Sequence, residues 1–236
     1  MVKSIISIIK PIAKPIIKPL LGIITKVYCL VIPLNWRNEV IWQGNKLSRS
    51  YFIAKWKKEG KPIPPPWQVK QMIIDEYKNK YNCVVLVETG TYKGDTIDAQ
   101  RKNFKRLYSI ELGMDLWKGA SKKFKCYKHI TILQGNSEEK LHDVIPQLDE
   151  KALFWLDGHY SAGITAKGDK DCPILGEVDA IFQGKRLNHV LLVDDARLFV
   201  GKYDYPTIDE LTSYIRSKEP KYTVKVEDDI IRYTCD

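Results

Sequence analysis

Acidic side chains stand directly after two apolar runs in the first half of this chain. Glu88 follows the run 84–87 and precedes a short turn that contains Gly90, while Glu111 closes the run 107–110. A carboxylate and a glycine turn at the end of a buried strand are typical of sheets that hold a nucleoside at their strand tips. The pattern therefore predicts a bound nucleoside cofactor, with Glu111 in the place where such folds hold the ribose.

A second group of acids follows two later apolar runs. Asp157 closes the run 152–156, and Asp194 and Asp195 follow the run 190–193. If the two strands are neighbours, they lie about 4.8 Å apart and these carboxylates converge. Carboxylates that close repel and raise one another's pKa unless a cation neutralises them. Oxygen ligands favour Mg²⁺, Mn²⁺ or Ca²⁺ over zinc, so the residues predict a divalent metal, Mg²⁺ or Mn²⁺.

The elements that must position these acids alternate along the chain from residue 83. The apolar runs predict strands over 83–88, 106–111, 129–134, 151–157 and 189–194. Helical patterns lie between them, near 94–104, 113–125, 137–148 and 173–186. This alternation predicts βαβ units and a parallel sheet with helices on both faces. After a helix over 208–217 come two strands, 223–227 and 229–234, whose connection is so short that they must form a hairpin.

Five strand–helix units closed by an antiparallel hairpin resemble the class I S-adenosylmethionine-dependent methyltransferases. The resemblance covers about residues 67–236. It implies an α/β fold with a doubly wound, mostly parallel seven-stranded sheet. The implied strand order is 3-2-1-4-5-7-6, with the last strand antiparallel.

The turn after Glu88 discriminates between nucleoside cofactors. A dinucleotide site needs G-x-G-x-x-G so that backbone can approach a pyrophosphate, and here Tyr92 and Lys93 occupy that room. S-adenosylmethionine has no phosphate, and E-x-G-x-x-x-G looks like the methyltransferase version of the motif. The resemblance implies that Glu88 and Gly90 hold the methionine end. It places the rest of the cofactor site at Tyr92, Gly94, Glu111 on the ribose, Asn136 on the adenine, Ser137 and Asp157.

The later acids resemble those of the metal-dependent, macrocin-type sugar O-methyltransferases. That resemblance implies that Asp157, Asp194 and Asp195 bind magnesium and that His159 acts as the base. The family tends to read D-G-x-H, whereas this chain reads D-G-H. A metal that chelates a sugar diol would lower the pKa of its hydroxyl, and a histidine could then take the proton. The expected acceptor is a hydroxyl on a sugar of a glycan or glycolipid.

Residues near the strand tips are candidates for acceptor binding. We expect Tyr160, in the long loop 158–172, and Arg197 to contact the acceptor, although an internal ion pair is an equal alternative for Arg197. Two other functions stay open. The tripeptide 169–171 reads D-K-D and would suit a metal-dependent glycosyltransferase. The second alternative is a non-catalytic methyltransferase-like module that docks at membranes.

The net charge of +9 is unevenly distributed. Residues 1–80 carry 15 Lys and Arg against 4 Asp and Glu, while residues 81–236 carry 23 against 25. The basic character therefore belongs to the N-terminal third. No base-reading motif accompanies it, so no nucleic-acid partner is predicted.

The N-terminal arm, residues 1–34, is basic and apolar and contains no acid. Lysines interrupt its apolar stretches too often for a spanning helix. We favour an arm that lies on an anionic membrane surface over one that packs on the catalytic domain or on a partner subunit. Residues 35–66 form an aromatic and Pro-rich connector to the catalytic domain, 67–236. The five cysteines are scattered, which fits the reducing environment of the cytoplasm. Membrane contact through the arm would make the protein peripheral at the membrane. Homo-oligomerisation stays open.

Overall fold

The computed structural model describes residues 33–158 and 172–235. Within these ranges, no helix combines the length and the apolar character that crossing a bilayer requires. The chain divides into two compact units, Met1–Gly44 and Asn45–Asp236. The acids at 88, 111, 157, 194 and 195 all belong to the second unit.

Helices and strands alternate through the described part of the chain. The helices are α1 (Leu34–Lys58), α2 (Trp67–Lys80), α3 (Asp95–Gln100), α4 (Met114–Phe124), α5 (Ser137–Val144), α6 (Ile174–Phe182) and α7 (Ile208–Lys218). The strands are β1 (Val85–Thr89), β2 (Arg106–Glu111), β3 (Ile130–Gln134), β4 (Ala152–Leu156), β5 (Val190–Val193), β6 (Thr223–Glu227) and β7 (Ile230–Thr234). Two short 3₁₀ turns lie at Ile145–Gln147 and Ala196–Leu198.

The described strands form a seven-stranded sheet in the order β3-β2-β1-β4-β5-β7-β6. Strands β1 to β5 pair in parallel, and β7 runs antiparallel to both β5 and β6. The predicted fold and strand order are confirmed. The hairpin is also confirmed: Asp228 and Asp229 connect β6 to β7 with positive φ angles of 53° and 62°, the conformation that a two-residue hairpin turn requires.

The central strands of the sheet are buried on both faces, because their successive side chains enter opposite cores. In β1, Val85 and Val87 belong to the core formed with α5, α6 and α7, while Leu86 belongs to the core formed with α2, α3 and α4. A parallel sheet covered on both faces is what near-continuous apolar runs favour. The carboxyl ends of the strands are thereby left as the edge at which polar side chains can gather.

The connector contains a helix that the sequence analysis did not predict. Helix α1 covers 25 residues, Leu34–Lys58, and its apolar residues do not line up on one face. The helix ends in a reversal at which the Trp56 indole donates to the Pro62 carbonyl at 2.8 Å. The buried Trp56 ring then joins the core that α2 covers. Without a helical period, the pattern of apolar residues could not predict α1.

Candidate functional site

Glycines shape the turn between β1 and α3. Gly90 has a φ of +84°, and a Cβ placed on it would lie 2.3 Å from the carbonyl oxygen of Asp157. Only glycine fits there, because the tip of β1 lies against the backbone of the β4 tip. Gly94 has a φ of +70°, and its Cβ would lie 2.6 Å from the Phe124 ring. Gly94 therefore sets the packing of the turn against α4.

Glu111 lies at the tip of β2 and is held by two backbone amides. Its Oε2 accepts the Tyr92 N–H at 2.7 Å, and its Oε1 accepts the Gly113 N–H at 2.8 Å. The side chain is 5% exposed. These bonds fix the carboxylate between the glycine turn and the start of α4. Each oxygen retains acceptor capacity, so the group can receive hydrogen bonds from a ribose diol.

Glu88 lies deeper, under the turn. Its carboxylate is 2% exposed and accepts the Ser109 hydroxyl, which is also 2.6 Å from the hydroxyl of Thr91. Burial raises the pKa of Glu88 to about 8, although the hydroxyls of Ser109 and Thr96 oppose this shift. Glu88 is thus part of a buried polar network that supports the turn. Its predicted contact with the methionine end of the cofactor stays a prediction.

Asn136 and Ser137 lie where β3 leads into α5. The Asn136 Oδ1 accepts the Glu138 N–H at 3.0 Å and caps the helix, and Ser137 is its buried first residue. The oxygen predicted to accept from the adenine is therefore already bound to backbone on one side. Its second lone pair remains compatible with the predicted contact, which stays a prediction.

The three aspartates are brought together at the tips of β4 and β5. Leu156 and Val193 are paired in the sheet, so Asp157 and Asp194 follow them side by side. The Asp194 N–H donates to the Leu156 carbonyl at 3.1 Å, which extends this alignment past the strands. Asp195 adopts the left-handed conformation, with a φ of 57°. The convergence expected from the sequence is present in the structure.

A lysine that the sequence analysis did not select forms ion pairs with two members of this cluster. The Lys70 ammonium, on α2, donates to Asp194 Oδ2 and lies 3.7 Å from Asp195 Oδ1. Burial alone would lower the pKa of Lys70, but the charges of Asp194, Asp157 and Asp195 raise it overall. One signal could have found it: a helix joined to β1 by a short connection runs antiparallel to that strand, so its first turns lie at the strand tips.

Burial dominates the electrostatics of the two strand-tip aspartates. It raises the pKa of Asp157, and the charge of Asp194 adds to that effect while Lys70 opposes it. It also raises the pKa of Asp194, against the opposing charge of Lys70. A carboxylate with a raised pKa is a better proton acceptor than an ordinary aspartate. The β4 tip thus presents a candidate general base.

The predicted magnesium or manganese site is not formed among the residues that the structure describes. Within them, no three His, Cys, Asp or Glu side chains are grouped so that they could hold a metal ion. The physical reason is that other donors take the ligand oxygens. Asp194 accepts the Lys70 ammonium and the Asp195 N–H, and Asp195 accepts the Arg197 guanidinium at 2.8 Å. The donor set does not fit a divalent metal.

The remaining predicted residues have different outcomes. His159, Tyr160 and the D-K-D tripeptide 169–171 lie outside the described residues, so the base and acceptor roles given to them stay predictions. Arg197 pairs with Asp195 and with the buried carboxylate of Asp229, which is the internal ion pair named as its alternative. Its contact with an acceptor also stays a prediction.

Comparison with solved structures places the fold among O-methyltransferases. An O-methyltransferase from Bacillus cereus, solved in complex with SAH, superposes with a TM-score of 0.54 at 11% identity, covering 91% of this chain and 97% of that chain. A Staphylococcus aureus protein assigned as a caffeoyl-CoA O-methyltransferase gives a TM-score of 0.50 at 12% identity, covering 85% and 100%. The chain therefore has the Rossmann-like methyltransferase fold. No protein-family model matches the sequence, and no curated protein matches it.

Proposed function

We propose that this protein transfers a methyl group from S-adenosylmethionine to a hydroxyl oxygen. The observation that carries the proposal is Glu111, which is oriented at the β2 tip by the amides of Tyr92 and Gly113, beside the turn at Gly90. A carboxylate preorganised in this way suits the two hydroxyls of a ribose. When bound, S-adenosylmethionine supplies an electrophilic methyl group on a sulfonium centre.

The charge at the strand tips favours a cationic cofactor. Asp157, Asp194 and Asp195 stand against the single ammonium of Lys70, while Arg197 is shared with the further carboxylate of Asp229. The ionised cluster therefore has a negative balance. It would repel the diphosphate of a nucleotide sugar, which the glycosyltransferase alternative requires, and would attract a sulfonium.

The described side chains divide the work of methyl transfer between them. Glu111 accepts hydrogen bonds from the ribose and thereby positions the cofactor. Asp157, whose pKa burial and Asp194 raise, accepts the proton that the acceptor hydroxyl loses as its oxygen takes the methyl group. The carbon–sulfur bond breaks with its electron pair left on sulfur. The divalent metal expected from the sequence has no role in this proposal, because Lys70 and Arg197 pair with Asp194 and Asp195, two of its three predicted ligands.

The acceptor in this proposal is a sugar hydroxyl of a glycan or glycolipid. Support comes from the resemblance of the acids at 157, 194 and 195 to those of sugar O-methyltransferases, although the metal role drops out here. Contact of residues 1–34 with an anionic membrane surface belongs to the same proposal, since it would bring the enzyme to an acceptor carried on a lipid. Liposome co-sedimentation of the full chain and of a chain lacking 1–34 tests that contact.

Mass spectrometry with deuterated-methyl S-adenosylmethionine tests the transfer itself. The full chain is incubated with a panel of glycans and glycolipids, and we expect a labelled methyl ether on one of them. Asp157→Asn should reduce the rate by about a hundredfold, the scale of general-base catalysis. Asp149→Asn, an exposed acid paired with Arg106 away from the site, should retain it. Thermal stabilisation by nucleotide diphosphate sugars, without any by S-adenosylmethionine, would contradict the proposal.

A further inference from the structure

The cation of the acidic cluster comes from the chain itself. Lys70 Nζ donates to Asp194 Oδ2, an atom of a side chain that is 0% exposed, and it lies 3.7 Å from Asp195 Oδ1. The lysine side chain is only 20% exposed. An exposed lysine loses little free energy when its ion pair breaks, because water solvates the ammonium. Lys70, in contrast, is confined between carboxylates.

Helix α2 holds Lys70 firmly in this position. The residues on either side are buried: Val69 is in the core that covers the sheet, and Gln71 accepts the Gln100 amide at 2.9 Å. Gln71 also donates to the Thr96 hydroxyl at 3.3 Å. Because its neighbours are fixed to the core and to α3, the ammonium is delivered to the strand tips by rigid backbone. The fold therefore holds the Lys70 ammonium at the strand tips.

We propose that Lys70 is the resident cation of the cluster formed by Asp157, Asp194 and Asp195, and that it replaces the divalent metal which those acids alone would attract. The ammonium fixes the Asp194 side chain and offsets the charge around Asp157. Lys70 is thus a positioning residue for the proposed methyl transfer. The inference rests on the proposed function only for its activity readout, since cation binding can be measured without any turnover.

Manganese binding, followed by electron paramagnetic resonance, tests the replacement directly. Wild-type protein, with Lys70 in place, should show no Mn²⁺ site that depends on Asp194. Lys70→Met removes the charge while keeping an unbranched side chain, and should bind one Mn²⁺ about tenfold or more tightly than wild type does, because a repelling cation has gone. Adding Asp194→Asn to that variant should remove the site.

Matched variants separate this effect from a general loss of charge. Lys218→Met removes a lysine that pairs with a single carboxylate, Asp179 at 2.7 Å, and should gain no Mn²⁺ binding. Lys70→Arg keeps the charge and should behave as wild type. A folded Lys70→Met protein that binds Mn²⁺ no better than wild type would overturn the proposal. So would a wild-type Mn²⁺ site abolished by Asp194→Asn, a result that needs no Lys70 variant to fold.

The activity readout keeps the two proposals apart. With a methyl-accepting substrate in hand, treating the wild type with a chelator should leave the rate within about twofold, whereas Lys70→Met should lower kcat more than it raises the KM for S-adenosylmethionine. Loss of the wild-type rate on chelation would overturn the role of Lys70 while leaving methyl transfer intact. Absence of any methyl transfer would defeat the proposed function, and the Mn²⁺ measurements would still decide the role of Lys70.

Discussion

The two halves of the strand-tip edge hold their acids by different means. At the tips of β1 and β2, Glu111 is bound by backbone amides and Glu88 by hydroxyls. At the tips of β4 and β5, Asp194 and Asp195 are bound mainly by the cations of Lys70 and Arg197. We call the first the amide-held region and the second the cation-held region.

This difference assigns binding of the ribose to the first region and proton transfer to the second. Backbone amides orient the Glu111 carboxylate without cancelling its charge, which suits the binding of a neutral diol. Cations offset the charge and oppose the rise in pKa that burial causes at Asp157 and Asp194. Proton affinity can therefore be tuned in the cation-held region while geometry is fixed in the amide-held region.

Gly90→Ala should have the largest effect, since it breaks the contact between the two regions. The new Cβ would meet the Asp157 carbonyl oxygen at 2.3 Å in a left-handed backbone, so one of the strand tips must move. We expect the free energy of unfolding to fall by about 4 kcal/mol, measured by urea denaturation. Gly60→Ala is the matched control, with a φ of +81° and open space around it, and should cost only about 1 kcal/mol. Equal losses for the two variants would contradict the contact.

Glu88→Gln should change how the free energy of unfolding depends on pH, and it thereby tests the burial of Glu88 in the amide-held region. The pKa of Glu88 is raised from 4.5 to about 8, so between these values the folded protein holds a proton that the unfolded chain has released. Wild-type stability should therefore fall as pH rises from 5 to 8, and Glu88→Gln should not share this loss, worth roughly 3–4 kcal/mol. Urea unfolding of both proteins at several pH values measures it. Parallel stability curves would show that Glu88 is not buried as a neutral acid.

Arg197→Ala probes the cation-held region and should have a smaller effect. The guanidinium pairs with Asp195 and Asp229 but is 35% exposed, so solvent screens it. We expect a loss of about 1 kcal/mol that shrinks in high salt, measured by thermal denaturation. Arg106→Ala, whose partners Asp149 and Glu150 are more exposed, should lose less. A salt-independent loss at Arg197 would indicate packing rather than charge.

Most of the fold could be predicted because it depends on local patterns. The apolar runs that became β1, β2, β4 and β5 are short and almost entirely buried, and the short connection at Asp228 could only be a hairpin. These features constrain the topology before any contact is known. Helix α1 escaped prediction because its apolar residues have no helical period.

The site was less predictable because it depends on contacts between distant parts of the chain. Asp157 and Asp194 could be expected to converge, since both end neighbouring parallel strands. Lys70 belongs to a helix 124 positions before Asp194, and its charge decides whether a metal is needed there. The capping role of Asn136 likewise depends on where α5 begins. Sequence patterns predicted the acids and offered an internal ion pair for Arg197, whereas the pairing of Lys70 with Asp194 was recognised only in the fold.

Calorimetric titration of S-adenosylhomocysteine tests the central claim most directly. We expect the wild type to bind it and Glu111→Ala to bind about 10- to 100-fold more weakly, because charge-assisted hydrogen bonds to the ribose are lost. Glu150→Ala, an exposed acid paired with Lys105 away from the strand tips, should bind as wild type does. Undiminished affinity in a folded Glu111→Ala protein, or no binding by wild type, would contradict the account.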